Sequence, residues 1–97
     1  MSRSIHKSSQ AELDLIGIWR YTAEHWGDTQ ADGYLDDLDR AISALADNPE
    51  LGVSREAVRT GYRALFIKNH VAYYTVRPDS IFIVRVLHEK MDPDRHL

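Results

Sequence analysis

One arginine stands inside the most apolar run of the chain, Ile81-Phe-Ile-Val-Arg85-Val-Leu87. Taking a guanidinium out of water costs several kcal/mol unless it is paired. If this run is a strand, alternation sets Arg85 on the face of Ile81, Ile83 and Leu87. Arg85 is therefore expected to meet an acid or to emerge at a concave surface. His88 follows three residues later on the opposite face. Together with Arg63, His70 and Tyr74, these residues include a general base, a cation to hold a phosphate and a proton donor. RNA cleavage by 2′-hydroxyl attack needs those types. The same types also meet by chance in many domains. The plainer alternative is that His88 bonds the C-terminal tail and Tyr74 packs its ring with the hydroxyl at a rim.

Other chemistries find no support. His88 and His96 are eight apart with Asp92 between them, which is not a metal-ligand spacing, so neither a metal nor a cofactor is expected. No glycine-rich phosphate loop and no nucleophile elbow occurs. The chain has no cysteine, which excludes disulfides and thiolate sites. Trp19 and Trp26 read as core residues. Gly61-Tyr62-Arg63 puts a flexible glycine before an aromatic and a cation, and a strand entry with a bulge explains it equally well.

Ninety-seven residues make one domain, residues 1–97, with 43% apolar and 28% charged side chains. The N-terminus lacks the apolar core of a signal peptide, and no run of about 18 apolar residues occurs. The cytoplasm is then the expected compartment, with no membrane partner. The net charge of −3 is unevenly spread: residues 1–50 carry four Lys/Arg against ten Asp/Glu, and residues 51–97 carry eight against five. A protein that lives on nucleic acid usually has a strong basic excess. Direct, specific nucleic-acid binding is therefore not expected, although the second half has the charge for a local basic patch. Asp36, Asp37 and Asp39 read as the solvated face of a helix.

The elements that position these residues follow from periodicity. Arg3 to Lys7 alternates weakly, as a short strand with Ile5 inward. Ser9 and Glu12 have capping-box spacing, and Leu15, Ile18, Trp19, Thr22 and Trp26 share one helical face. Gly27 ends that helix, and Asp28 or Thr29 is expected to cap a second. The second carries Ala31, Leu35, Leu38, Ile42 and Leu45 on one face and stops at Asn48-Pro49. A connection over residues 49–61 leads to strands at Ala64–Ile67, Val71–Val76 and Ile81–Leu87, with turns at Lys68-Asn69 and Arg77–Ser80. The expected fold is α+β, a helical hairpin packed on a three- to four-stranded antiparallel sheet in the order β-α-α-β-β-β.

At this point the residues look familiar. Ala11-Glu-Leu-Asp-Leu-Ile-Gly-Ile-Trp19-Arg-Tyr-Thr resembles the first helix of ParE-type toxins in the RelE/ParE superfamily, and Trp26-Gly-Asp-Thr-Gln-Ala-Asp-Gly-Tyr34 resembles the turn into their second. Asn48-Pro-Glu-Leu-Gly52, Gly61-Tyr-Arg63, His70-Val-Ala-Tyr-Tyr74 and Arg85-Val-Leu-His-Glu-Lys-Met-Asp92 continue the pattern in order over residues 10–97.

The resemblance implies a type II toxin–antitoxin system. The expected partner is a ParD-like antitoxin with a ribbon-helix-helix DNA-binding part, forming a hetero-oligomer with the toxin. ParE-like toxins are described as inhibitors of DNA gyrase, while their RelE-branch relatives are ribosome-dependent mRNA endonucleases. Working in ribosomal RNA favours a strongly basic protein, so the charge balance favours a non-catalytic gyrase inhibitor that arrests growth. The alternatives are an endonuclease using His88, Arg85, Arg63 and Tyr74, and a degenerate toxin that only binds its antitoxin. Candidates for the target contact are Arg63, Arg85, His88, Met91 and Asp92. Candidates for the antitoxin contact are Leu15, Trp19, Tyr34, Leu38 and Ile42.

Overall fold

The computed structural model describes residues 2–97. Its strands are β1 (Ser4–Lys7), β2 (Val53–Ser54), β3 (Tyr62–Ile67), β4 (His70–Val76) and β5 (Ser80–His88). They form a single sheet in the order β1-β5-β4-β3-β2. Helices α1 (Ser9–Trp26) and α2 (Asp28–Ser43) make the hairpin, and a single turn, α3 (Pro93–His96), lies near the C-terminus. The expected α+β class holds, with two differences. The sheet has five strands, because Val53 and Ser54 in the expected connection pair with Ala64 and Arg63. It is also mixed rather than purely antiparallel. The chain leaves β1, crosses as the hairpin, re-enters at the far edge and meanders back, so β5 meets β1 running parallel.

Local chemistry moves both helix starts from their expected residues. Ser8, not Ser9, caps α1: its Oγ accepts the Ala11 N–H at 2.9 Å and donates to the Val84 carbonyl at 2.6 Å. One hydroxyl thereby begins the helix and ties it to β5, and no capping box forms. Gly27, at φ +92°, ends α1 and also stands as the N-cap of α2. Neither Asp28 nor Thr29 takes that place, although Asp28 in the first turn suits the helix dipole. Regular α2 ends at Ser43, and two 3₁₀ turns, Ala44–Ala46 and Pro49–Leu51, carry the chain past Asn48.

The main core lies between hairpin and sheet. Leu38, Ile42 and Leu45 pack with Ala72, Tyr74, Ile81, Ile83 and Val86, all nearly or fully buried. A β-bulge shapes β5: Tyr73 pairs with Arg85 and Tyr74 with Ile83, so Val84 is the extra residue. The bulge reverses the alternation. Ile81, Ile83 and Val86 all join the hairpin-side core, whereas Leu87 buries with Ala64, Val71 and Tyr73 on the other face. Arg85, paired with Tyr73, belongs to that second face, so it does not share the face of Ile81 and Ile83 as simple alternation implied. Trp26 also departs from expectation: in the last turn of α1, at the hairpin tip, it is 64% exposed. Trp19 is half-buried and donates its Nε1–H to Asp32 at 2.9 Å.

Tyr74 anchors the connection. Its ring is fully buried, its hydroxyl donates to the Pro49 carbonyl at 2.6 Å, and it accepts the Gly52 N–H at 3.0 Å. Gly52 fits there because it has no side chain: a Cβ would stand 2.6 Å from Tyr74 Oη and 2.7 Å from the Ala64 carbonyl oxygen. Gly52→Ala should therefore lower stability by about 2 kcal/mol, read as a lower urea midpoint. Gly33→Ala in α2, where a Cβ meets nothing within 4 Å, should leave stability unchanged or raise it by about 0.5–1 kcal/mol.

Candidate functional site

Beyond Ile83, β5 has no β1 residue paired along its outer edge. Asp14 of α1 takes that place. Its Oδ2 accepts the Val86 N–H at 3.0 Å, as a neighbouring strand would. The same carboxylate binds Arg85 through two bonds, Nε to Oδ2 and Nη2 to Oδ1, both 2.8 Å. Arg85 Nη1 donates to the His96 carbonyl at 3.0 Å and so holds the C-terminal turn. Both charged side chains are mostly buried, at 18% and 14% exposure. The bonds from Asp14 push the Arg85 pKa further up, against the effect of burial. Arg85 thus has the acidic partner that its burial demands.

Next to this pair, a groove of about 660 Å³ opens between α1 and the end of β5. Leu13, Gly17, Tyr21 and Trp26 line it from α1, Tyr34 from α2, and His70, His88 and Met91 from the sheet and tail. Register brings the two histidines together, since His70 pairs directly with His88. Their rings meet edge-on with centroids 5.3 Å apart. His70 Nδ1 is 2.6 Å from the Tyr34 hydroxyl, which also accepts the Asn69 N–H at 3.3 Å. His88 Nδ1 accepts the Lys90 N–H at 3.2 Å, so in its neutral form its proton sits on Nε2. Burial lowers the His70 pKa; charge on His88 adds to that and Glu89 opposes it. Burial raises the Tyr34 pKa, partly offset by the Asn69 bond and the Lys68 charge.

The sequence-derived candidates are scattered. His88 and Met91 share the groove, while Asp92 caps α3 by accepting the Asp94 N–H. Arg63 Nη2 donates to the Gly52 carbonyl at 2.6 Å, near the far edge of the sheet. Tyr74 is enclosed in the core and Arg85 is engaged by Asp14. The His88, Arg85, Arg63 and Tyr74 set is therefore not assembled around one point. Among the described residues, no three His, Asp or Glu side chains gather as a metal site, and no helix is long and apolar enough to cross a membrane.

Of the apolar candidates for a partner contact, Leu38 and Ile42 are consumed by the chain's own core, at 0% and 1% exposure. Leu15, Trp19 and Tyr34 are half-buried. Sequence reasoning missed the exposed α1 residues Leu13, Ile16, Tyr21 and Trp26, at 63%, 48%, 59% and 64%. A signal existed: Leu13, Gly17 and Tyr21 recur every four residues beside the buried stripe. Its apolar members have too little buried surface around them to belong to the core. Tyr34 and His70 were visible only as isolated residues, 36 positions apart.

A family model described as the ParE toxin of the type II toxin–antitoxin system parDE matches residues 5–93. The chain belongs to the ParE toxin family. It is 41% identical to Toxin ParE1 of Mycobacterium tuberculosis over 98 residues, with both chains fully covered. It is 38% identical to Toxin ParE1 of Caulobacter vibrioides over 90 residues, covering 93% of each. The chromosomal ParDE system of P. aeruginosa contains a chain with the same fold, with TM-score 0.79 and 21% identity over 90% of this chain and 96% of that one. The protein is a ParE-type toxin of a type II toxin–antitoxin system.

Two measurements test the toxin's site geometry. Arg85→Ala leaves the Asp14 carboxylate without its cation and should cost about 3 kcal/mol in chemical denaturation. A loss below about 0.5 kcal/mol would show that the pair contributes little. For His70, the folded pKa lies below the unfolded value of about 6.5, so the unfolded chain takes up this proton first. The toxin should lose stability as pH falls through about 6.5, and the loss should level off below the folded pKa. In His70→Gln, melting temperature should depend less steeply on pH over that window.

Proposed function

We propose that the toxin inhibits DNA gyrase by binding alone and does not cut nucleic acid. The observation that carries this reading is the engagement of Arg85. A phosphoryl-transfer site needs a cation free to hold the phosphate beside the base, and Arg85, three residues before His88 on the same strand, is already bound by Asp14 and the His96 carbonyl. The histidine pair instead borders a groove whose exposed rim is apolar and aromatic, which suits a protein surface. Family membership and the low charge for a ribosomal ligand support the same reading.

Neutralisation fits a ParD-like antitoxin whose C-terminal segment folds onto the toxin. Leu13, Ile16, Tyr21 and Trp26 offer it an apolar strip, with Leu15, Trp19 and Tyr34 beside them. A second attachment is available at the sheet edge. The strand β2 covers only Arg63 and Ala64, leaving Leu65–Ile67 open to an added strand. His88 and Met91, next to the groove, remain candidates for the gyrase contact.

Purified toxin added to gyrase should block supercoiling and raise linear cleaved DNA, while a reconstituted translation reaction continues. Inhibited translation with mRNA cut at the ribosome would replace this reading by the endonuclease one. Tight antitoxin binding with neither effect would identify a degenerate toxin.

A further inference from the structure

On the sheet face turned away from the hairpin, Tyr62, Phe66, Thr75 and Phe82 take no part in the groove. Cross-strand pairing sets Tyr62, Thr75 and Phe82 in one row on that face, with Phe66 in another beside Val71. Leu97 packs on the part formed by Val71, Tyr73 and Leu87, while Phe66 is 56% exposed and Tyr62 and Phe82 are partly so. Two arginines lie on these rings: the Arg77 guanidinium is 4.6 Å from the Phe82 centroid and that of Arg55 is 5.5 Å from the Phe66 centroid. Arg3 donates its Nε–H to the Arg77 carbonyl at 2.9 Å but borders a separate hollow with Glu50, Arg63 and Val76, so it is not part of this face.

Arg55 and Arg77 make no ion pair among the described residues. Every cation in an ion pair among the described residues is a different one: Lys7, Arg40, Lys68, Arg85 or Arg95. Acids near the face are few. Asp79 shares the turn with Arg77, Glu56 is engaged by the Gly61 N–H, and Asp92 stands toward the tail near Tyr73. Asp28, Asp32, Asp36 and Asp39 all belong to α2, in the other layer. The negative net charge therefore hides a face whose free charge is positive and whose flat surface is aromatic.

We propose that this outer face binds single-stranded nucleic acid, with Arg55 and Arg77 on the phosphates and Phe66, Phe82 and Tyr62 stacking on unpaired bases. Guanidinium groups match phosphate geometry and tolerate stacking on rings, which lysines do less well. Rings flush with a sheet reach bases only where the strand is unpaired. An acidic peptide would satisfy the arginines and leave the rings without a partner. The surface lies apart from the groove residues and does not depend on which target the toxin inhibits.

Fluorescence anisotropy with a labelled oligothymidylate of about 20 nucleotides tests this. The toxin should bind at about 20 mM salt, with log K falling against log salt at a slope near −1.4, about 0.7 for each of two phosphates. Arg55→Ala with Arg77→Ala should weaken binding at least tenfold and flatten the slope by about 1.4. Phe66→Leu should weaken it several-fold at unchanged slope, and oligouridylate should bind comparably. Asp79→Asn, which leaves the core untouched, should tighten binding and keeps the test valid if another variant unfolds. The proposal is overturned by absent binding, by variants that bind like the parent, by preference for duplex, or by polyglutamate competing as well as the oligonucleotide.

Discussion

The arrangement depends on one carboxylate. The fifth strand loses its parallel partner after Ile83, and a sheet edge that stops there would leave the Val86 N–H unpaired against a helix. Asp14 accepts that N–H and thereby fastens α1 to the strand. A carboxylate that far from water needs a cation, and Arg85 supplies it in two-bond geometry. The bulge at Val84 sets Arg85 on the outer face, and the guanidinium meets Asp14 at the strand's open edge, where the carboxylate also accepts the Val86 N–H. The third guanidinium nitrogen, Nη1, then donates to the His96 carbonyl. Helix, strand edge and C-terminal turn are joined through two side chains 71 positions apart in sequence.

The groove is a consequence of that junction. With α1 pinned at Asp14, its other end runs out beyond the core, and Tyr21 and Trp26 are left exposed at the hairpin tip. Tyr34 closes the groove from α2 through His70, and His70 is held opposite His88 by strand register. The two imidazoles lie so close that a charge on His88 makes a charge on His70 costlier, in addition to the cost of burial. The arrangement disfavours the charged form of His70 in a largely apolar setting, which suits packing against another protein as well as it suits proton transfer. What separates those uses is the cation, and here it is committed to Asp14.

Much of this was legible in the sequence and the remainder was not, for identifiable reasons. The hairpin, its Gly27 hinge and four of the five strands follow from local periodicity and turn chemistry, which act over a few residues. The need for an Arg85 partner was legible because the cost of an unpaired buried charge is general. The identity of that partner was not, since Asp14 is one of ten acids in the first half and nothing local marks it. Bulges also escape pattern reading: one extra residue at Val84 reversed the faces of Arg85 and Leu87 relative to Ile83. Strand β2 was hidden because two residues carry no periodicity. Leu38 and Ile42 were assigned to a partner because an apolar stripe does not reveal whether the same chain or another will cover it.

The two faces of the sheet differ in how they treat their exposed side chains. On the hairpin side, three cations meet acids: Lys68 and Arg40 share Asp37, and Lys7 stands 3.9 Å from Asp39. On the outer side, Arg77 and Arg55 lie over rings instead, which retains their charge while burying their stems. Folding stability alone does not require this difference, because exposed ion pairs add little. It follows that an antitoxin filling the groove would leave the arginine–aromatic face open. Neutralisation by groove occupancy would then have to act by withholding the α1 strip and the His88 end of the sheet from the target, since it does not cover the outer face.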